Sequence, residues 1–416
     1  MTQLRRVVIT GTGIVSPVGN DRETAWRNIC EGRSGIRRIE AFDTSNLEVH
    51  IAGEVRDFDP LQCGSKREVR RMDPFVRYAI AAADQAVKQS RLVEDGFDPE
   101  RAGVYIGTGI GGLQEIESQH LMLLQAGPQR VSPLMIPKLM TNAAAGHVSI
   151  RYGFAGPSMS VSSACASGSN AIGEAFDSIR YGLVDVQVCG GSEAAITPMG
   201  VTGFAQLNAL STRNDEPEKA CRPFEKNRDG FVMAEGAGIL VLEALDRAKA
   251  RGATILAEII GYGSSSDAFH MTLPDQQGKG ALRAMCNAIR DAGIKPEDVD
   301  YINAHGTGTP AGDDIEARAI MQMFAEHAKN LAVSSTKSIF GHLLGASGAV
   351  ESLVCIWAIL DDICPPTINL DEVDPACAGL NYVPHVSQKR RVNVVMNNSF
   401  GFGGHNVGLI FRKYLQ

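Results

Sequence analysis

The sequence predicts an α/β protein made of two similar halves, and three observations carry that prediction. Short apolar runs end in glycine or small polar residues, apolar residues at helical spacing fill the intervals, and the second half repeats the order of the first. A chain of 416 residues exceeds what one hydrophobic core usually encloses, and its 44% hydrophobic content can fill a large interior.

The first strand is "RVVITGTG", β-branched residues running into glycine, and "RYAIAAADQAVKQS" after it carries a helical apolar period. Further buried strands follow at "GVYIGTG", "SMSVSSA" and "VQVCGG". The same events recur as "AEIIGYG", "DYINAHGTG", "NLAVSSTKS" and "VNVVMNNSFGFGG", and in particular "VSSAC" and "VSSTK" match in local form. Runs of this kind read as mostly parallel strands joined by helices. About 250 residues separate the first matched pair and about 172 the third, so the N-terminal half carries insertions, between 20 and 100 and between 110 and 160. The expected organisation is an internal duplication with halves 1–255 and 256–416.

A net charge of −7 argues against a general nucleic-acid binder, so any polyanionic partner must dock on a local basic patch. Nine cysteines without a CxxC pair read neither as a disulfide framework nor as a zinc site, and point to reduced thiols in a cytosolic compartment. "MTQLRRVVITGTG" enters a strand with no room for a hydrophobic signal core, and no apolar run is expected to reach transmembrane length, so a soluble, cytoplasmic protein without membrane contact is expected. From Ser118 to Gly173 there is no Asp or Glu among many Met, Leu, Ile and Ala, which suits an apolar tunnel or a subunit contact.

"GTGIGG" (Gly107, Gly109, Gly112) satisfies the dinucleotide-binding pattern, but the acidic residue that should hold a ribose further on falls in the acid-free segment. Cys165, in "VSSACASGSN", is the candidate nucleophile. Ile172, Phe176 and Ile179 place a helix start at or just after it, where free N–H groups and the dipole favour thiolate, and its small neighbours leave the sulfur reachable. Cys30, Cys189, Cys286 and Cys355 read as small buried hydrophobes. His305, in "NAHGTGTPAGD", directly follows a strand, and His342, in "STKSIFGHLLGASGAVE", opens a helix where the second half mirrors the cysteine segment. Strand carboxyl ends bring all three to one crevice. His120, His147, His270 and His385 read as structural, His405 is left open, and the separation of Cys165 and the two histidines offers no short metal-ligand pair. The glycines of "NNSFGFGGHN" can turn main-chain N–H groups toward a ligand and, with the N–H of Cys165, form an oxyanion hole, worth roughly 3–4 kcal/mol per donor.

With these residues in view, the sequence resembles the type II β-ketoacyl-(acyl carrier protein) synthases nearly end to end, through "RVVITGTGIVSPVGN", "GTGIGGL", "SSACASGSNAIGEA", "ALSTRNDEPEKACRPFEKNRDGFVMAEGAG", "SDAFHMT", "NAHGTGTPAGD", "SSTKSIFGHLLGASGAVE", "PPTINLD" and "NSFGFGGHN". The resemblance implies a thiolase fold, a duplicated five-layered αβαβα architecture with mixed sheets, and a homodimer. It implies that Cys165 takes an acyl chain from acyl carrier protein and that His305 and His342 hold the thioester carbonyl of malonyl carrier protein during decarboxylation. The N–H groups of Cys165 and Phe402 then form the oxyanion hole. It further implies that Lys337 and Glu316 pair to order the histidines, that Phe402 gates an acyl pocket lined by Ile110, and that the carrier docks on Lys66, Arg67, Arg70 and Arg71. In that cluster, 66/70 and 67/71 share a helical face. No metal and no resident cofactor are implied, the substrates bringing phosphopantetheine on the carrier.

The chain departs from the family in three places. Leu134 and Met135 in "SPLMIP" replace two phenylalanines near the acyl pocket, Phe340 stands where a smaller residue is common and threatens to shift or crowd His342, and Asn208 stands where relatives carry an arginine. A thiolase would place a second cysteine in the C-terminal glycine loop, which "SFGFGGHN" lacks, and a non-condensing chain-length subunit would lack the nucleophile. A polyketide-type ketosynthase or a specialised paralogue remains open beside the fatty-acid elongation enzyme.

Overall fold

The computed structural model describes residues 4–415. Ten strands form its main sheet, six long helices pack on it, and a seventh, Leu113–Ala126, stands off it. The first half contains β1 (Val7–Val15), α1 (Pro74–Ser90), β2 (Ala102–Gly107), α2 (Leu113–Ala126), α3 (Ala143–Tyr152), β3 (Ser158–Val161), α4 (Ser167–Arg180), β4 (Val186–Glu193) and β5 (Gly236–Ala244). The second contains β6 (Ala257–Ser266), α5 (Lys279–Ala292), β7 (Tyr301–Asn303), α6 (Pro310–Phe324), β8 (Ala332–Ser334), α7 (Ser347–Asp361), β9 (Val394–Gly401) and β10 (His405–Arg412).

Strand order across the sheet is β8-β7-β9-β10-β6-β1-β5-β4-β2-β3. Read outward from the β1–β6 seam, the first half runs 1-5-4-2-3 and the second 6-10-9-7-8, the same order shifted by five. The strands are mixed rather than mostly parallel. β2 runs parallel to β3 and β4, and β7 to β8 and β9, while the five pairs from β4 through the seam to β9 are antiparallel. A strand buried on both faces is apolar whichever way it runs, so hydrophobic runs alone do not reveal direction.

Five layers result. α1 and α3 pack on the outer face of the first half, α5 and α6 on that of the second, and α4 and α7 lie between the two half-sheets. The central layer holds the largest core, where Ile172, Phe176 and Ile179 meet Trp357 and Leu353. A smaller cluster around Ile36, Ile51, Ile196 and Phe231 belongs to the insertions that cap the strand ends. One stretch, Leu344–Asp361, is long and apolar enough to span a membrane, contrary to expectation from the sequence. It is 89% buried, because α7 is enclosed by both half-sheets and needs no polar face.

Candidate active site

A strained turn presents the candidate nucleophile. Between the end of β3 and the start of α4, Ala164 adopts φ 50°, in the left-handed region that a residue with a Cβ enters only under constraint. Small polar side chains supply the constraint. Ser167 Oγ donates to the Ala164 carbonyl at 2.6 Å and accepts the Ser163 N–H at 2.9 Å, and Ser163 Oγ lies 2.6 Å from Asn170 Oδ1. Cys165 follows, and Ala166 caps α4 without a side-chain hydrogen bond, its own N–H and that of Ser167 turning back to the carbonyls of Ser163 and Ala164. Burial pushes the Cys165 thiol up to about 12, against the pull of the Lys337 charge and of the N–H groups of Phe402 and Cys165. The lowered thiol expected from the helix start is thus corrected: excluding water from the sulfur outweighs the donors aimed at it.

His305 lies just beyond β7, in a loop folded around two carboxylates of α6. Glu316 accepts the N–H groups of His305 and Gly306 at 2.8 and 2.7 Å, and Asp313 accepts those of Thr307 and Gly308, both at 3.1 Å. Burial raises Glu316 to about 7 and Asp313 to about 6, with the donors opposing. Glu316 therefore serves the main chain and forms no pair with Lys337, which corrects the implied ion pair. Lys337, wholly buried, is instead paired with Glu351 of α7, and its Nζ lies 3.4 Å from His305 Nδ1. An ammonium only donates, so Nδ1 accepts and the ring hydrogen sits on Nε2.

His342 Nδ1 is 2.7 Å from Ser347 Oγ, the first residue of α7. The two imidazole centroids are 5.4 Å apart with planes at 85°. Burial first, then the Lys337 charge, holds both rings well below their ordinary range, so both are neutral. Glu351 escaped the sequence reading, although a lone acid in the apolar run "GAVESLVCIW" signals a buried charge that needs a partner. On the elements that hold this group, Asn303 Oδ1, Asn397 Oδ1, Asn398 Oδ1 and Glu351 Oε2 are buried acceptors without a donor. Each is open to a water, and among the described residues no three His, Cys, Asp or Glu side chains gather to hold a metal ion.

The match between "VSSAC" and "VSSTK" holds for the strands only. In the cysteine segment Ala164 (φ 50°) is followed by Cys165, Ala166 and the helix start Ser167; in the second half Leu344 (φ 49°) is followed by Gly345, Ala346 and the helix start Ser347. The counterpart of Cys165 is therefore Gly345, not Lys337. The strands are offset by 172 residues and the helices by 180, so the second half carries eight extra residues between them. Lys337 and His342 lie in that extra stretch.

Cys165, His305, His342 and Phe402 line one cavity of about 300 Å³ at the carboxyl ends of β3, β7, β8 and β9. Phe204, Phe231 and Phe400 form its apolar wall. Phe402 opens the tight turn between β9 and β10, and a Cβ on the preceding Gly401 would lie 2.7 Å from the Ser163 carbonyl oxygen. Only glycine lets that turn rest against the cysteine. Ile110, Leu134 and Met135 do not line this cavity: Ile110 packs on the cap, Leu134 is exposed, and Met135 opens a short surface helix, Met135–Leu139. Phe340 is buried in the central core, away from the cavity, so it neither narrows the site nor crowds His342. Asn208 lines the mouth at φ 52°, a conformation asparagine adopts readily after a helix end.

Lys66, Arg67, Arg70 and Arg71 are all exposed, and among the described residues none forms an ion pair. The helix there is one turn, Lys66–Val69, closed by Arg70, so Arg71 lies beyond it and no 67/71 helical face exists. Asp73 then caps α1, which starts at Pro74. Of the other histidines, His270 Nδ1 accepts the N–H groups of Thr272 and Leu273, His147 is half-buried, His385 lies 3.8 Å from Asp371, and His120 and His405 are exposed. Cys189 and Cys355 are fully buried, whereas Cys30 and Cys286 are only partly covered.

Residues 4–248 match the family model described as beta-ketoacyl synthase, N-terminal domain, and residues 256–371 that of the C-terminal domain. The chain is 51% identical to the 3-oxoacyl-[acyl-carrier-protein] synthase 2 of Synechocystis sp. over 410 residues, 99% of this chain and 98% of the relative. Among solved structures, a beta-ketoacyl synthase from Burkholderia phymatum superposes with a TM-score of 0.92 at 37% identity, covering 99% of this chain and all of the other. A type II PKS acyl-carrier protein in complex with its ketosynthase bound to the hexaketide gives 0.92 at 34% identity, again over 99% and 100% of the chains.

Proposed function

The chain belongs to the β-ketoacyl synthase family, and on that premise we propose how its residues elongate a fatty acyl chain by decarboxylative condensation with malonyl carrier protein. The observation that supports this most directly is the convergence of Cys165, two neutral imidazoles and the Phe402 turn on one cavity. Cys165 attacks the thioester of acyl carrier protein, and the N–H groups of Cys165 and Phe402 receive the oxyanion. The pantetheine thiol departs with the proton that the cysteine gives up, so the step is proton-neutral.

Malonyl carrier protein then binds. Its carboxylate leaves as carbon dioxide, and the electron pair of the broken bond forms a thioester enolate. His305 Nε2–H, its tautomer set by Lys337, and His342 hydrogen-bond the enolate oxygen. The enolate carbon attacks acyl-Cys165, the tetrahedral adduct expels the thiolate, 3-oxoacyl carrier protein leaves, and the sulfur takes one proton from solvent. The enzyme adds no cofactor to the phosphopantetheine that the substrates carry.

The carrier docks on Lys66, Arg67, Arg70 and Arg71, whose exposed, unpaired charges suit an acidic partner. A homodimer forms across the acid-free segment. Its Leu121, Met122, Leu123, Leu124 and Ile136 are exposed in the single chain, and the edge strand β3 lies beside them in sequence. Such a contact brings Leu134 and Met135 into an apolar enclosure where they line the acyl pocket with Ile110. The free state of all nine cysteines fits a reducing cytoplasm.

Intact mass after incubation with acyl carrier proteins of graded length tests the reading. An acyl adduct is expected on the unmodified chain and not on Cys165→Ala; an adduct on both sinks it. His305→Ala and His342→Ala are expected to acylate yet release no carbon dioxide from malonyl carrier protein, and the preferred acyl group separates fatty from polyketide starters.

A further inference from the structure

β4 ends in a carboxylate that no ion pair explains. Glu193 is fully buried and accepts five hydrogen bonds: from Thr108 Oγ1 at 2.8 Å, and from the N–H groups of Gly109 at 2.7, Ile110 at 3.1, Gly111 at 3.4 and Gly345 at 2.9 Å. The N–H groups of Gly109 and Gly345 converge on a single oxygen, Oε2. Two main-chain donors on one anionic oxygen at this distance have the geometry of an oxyanion hole.

Gly345 is also the residue that duplication matches to Cys165, each following a left-handed residue and standing two places before a helix start. Its N–H therefore corresponds to the N–H that Cys165 contributes to the oxyanion hole. A Cβ at Gly345 would fall 2.2 Å from Gly109 N and 2.6 Å from Glu193 Oε2, so main chain and carboxylate together exclude any side chain there.

We propose that Glu193 is a positioning residue of the condensation site, its carboxylate filling a second main-chain anion hole, the duplicate of the one at Cys165. By filling it, Glu193 clamps the 108–111 loop and the Gly345 turn against the cysteine segment. A Cβ at Gly109 would lie 3.5 Å from the Ala164 carbonyl oxygen, in ordinary contact, so the loop borders the strained turn that carries Cys165. Removing the carboxylate strands the N–H groups of Gly109, Ile110 and Gly345 and the Thr108 hydroxyl, while Gly111 N–H keeps Thr108 Oγ1 at 3.1 Å. The inference rests on the reading of Cys165 as the acyl-bearing residue.

Glu193→Ala leaves a hole of the size of a small carboxylate, so formate is the probe. Acylation of Cys165, followed by intact mass and peptide mapping on protein of native size and melting behaviour, is expected to slow about 100-fold, and saturating formate to restore roughly tenfold or more of that. Chloride is expected to restore nothing, and formate to leave the unmodified enzyme unchanged. Acylation at the unmodified rate in Glu193→Ala, or a folded variant that formate does not rescue, overturns the proposal. Should Glu193→Ala fail to fold, Glu193→Gln keeps the volume but turns an amide N–H₂ toward the donors. It is expected to melt near the unmodified enzyme and acylate roughly tenfold more slowly, and an unmodified rate overturns the proposal. An acyl adduct mapping away from Cys165 in the unmodified enzyme refutes the functional reading alone. Formate-dependent alkylation of Cys165 in the variant then still decides the role of Glu193.

Discussion

At the scale of single residues, the site rests with its nucleophile protonated and its imidazoles neutral. A thiol held up to about 12 gives up its proton only as it attacks. Alkylation of Cys165 by iodoacetamide should therefore rise about tenfold per pH unit through the ordinary thiol range near 8.5, and a plateau there, read by mass, would contradict the burial effect. Lys337 and Glu351 neutralise each other where neither meets water. Glu351→Ala strands the ammonium and should cost about 3–5 kcal/mol in urea unfolding. Adding Lys337→Met should recover most of that stability but not carbon dioxide release, because His305 has lost the donor that sets its tautomer. Cys165 and His305 were legible in the sequence because each follows a strand among small residues, and His342 because it stands at a glycine turn before a helix. Glu193 was not, because its donors lie 82 to 152 residues away in the chain, and Glu351 signalled only that it is buried, not that Lys337 is its partner.

At the scale of elements, apolar periodicity located α4 from Ile172, Phe176 and Ile179, and the structure starts that helix at Ser167. Direction was not legible, since β5 and β10 are buried on both faces and read like parallel strands. Nor was the short stop of the Lys66–Val69 helix, five residues before the next one starts at Pro74. The tight connection from β3 to α4 depends on Ala164 holding φ 50°. Ala164→Gly should leave the melting temperature unchanged or higher, whereas Ala164→Val should lose about 1–3 kcal/mol and slow acylation together, since a β-branched side chain opposes that backbone. Equal melting of the two variants would show that the turn is not strained.

At the scale of the whole molecule, two half-sheets repeat one strand order, and the eight extra residues of the second carry Lys337 and His342 to the cavity. The exposed apolar residues of α2 need a cover that the single chain does not supply. Leu123→Asp with Leu124→Asp should therefore halve the mass seen by light scattering and weaken long-chain acylation, with secondary structure retained. An unchanged mass would place the subunit contact elsewhere.

The amino-acid sequence by itself determined the alternation of strands and helices, the replay of one half by the other and the three residues that meet in the cavity, because strand ends, helix periods and small-residue turns are local patterns. The tertiary structure alone decided that Lys337 pairs with Glu351 rather than Glu316, that Gly345 rather than Lys337 answers to Cys165, and that Leu134 and Met135 stand outside the cavity. Each of these depends on which distant segments meet, and burial, which holds the thiol up and the imidazoles neutral, exists only once they have met.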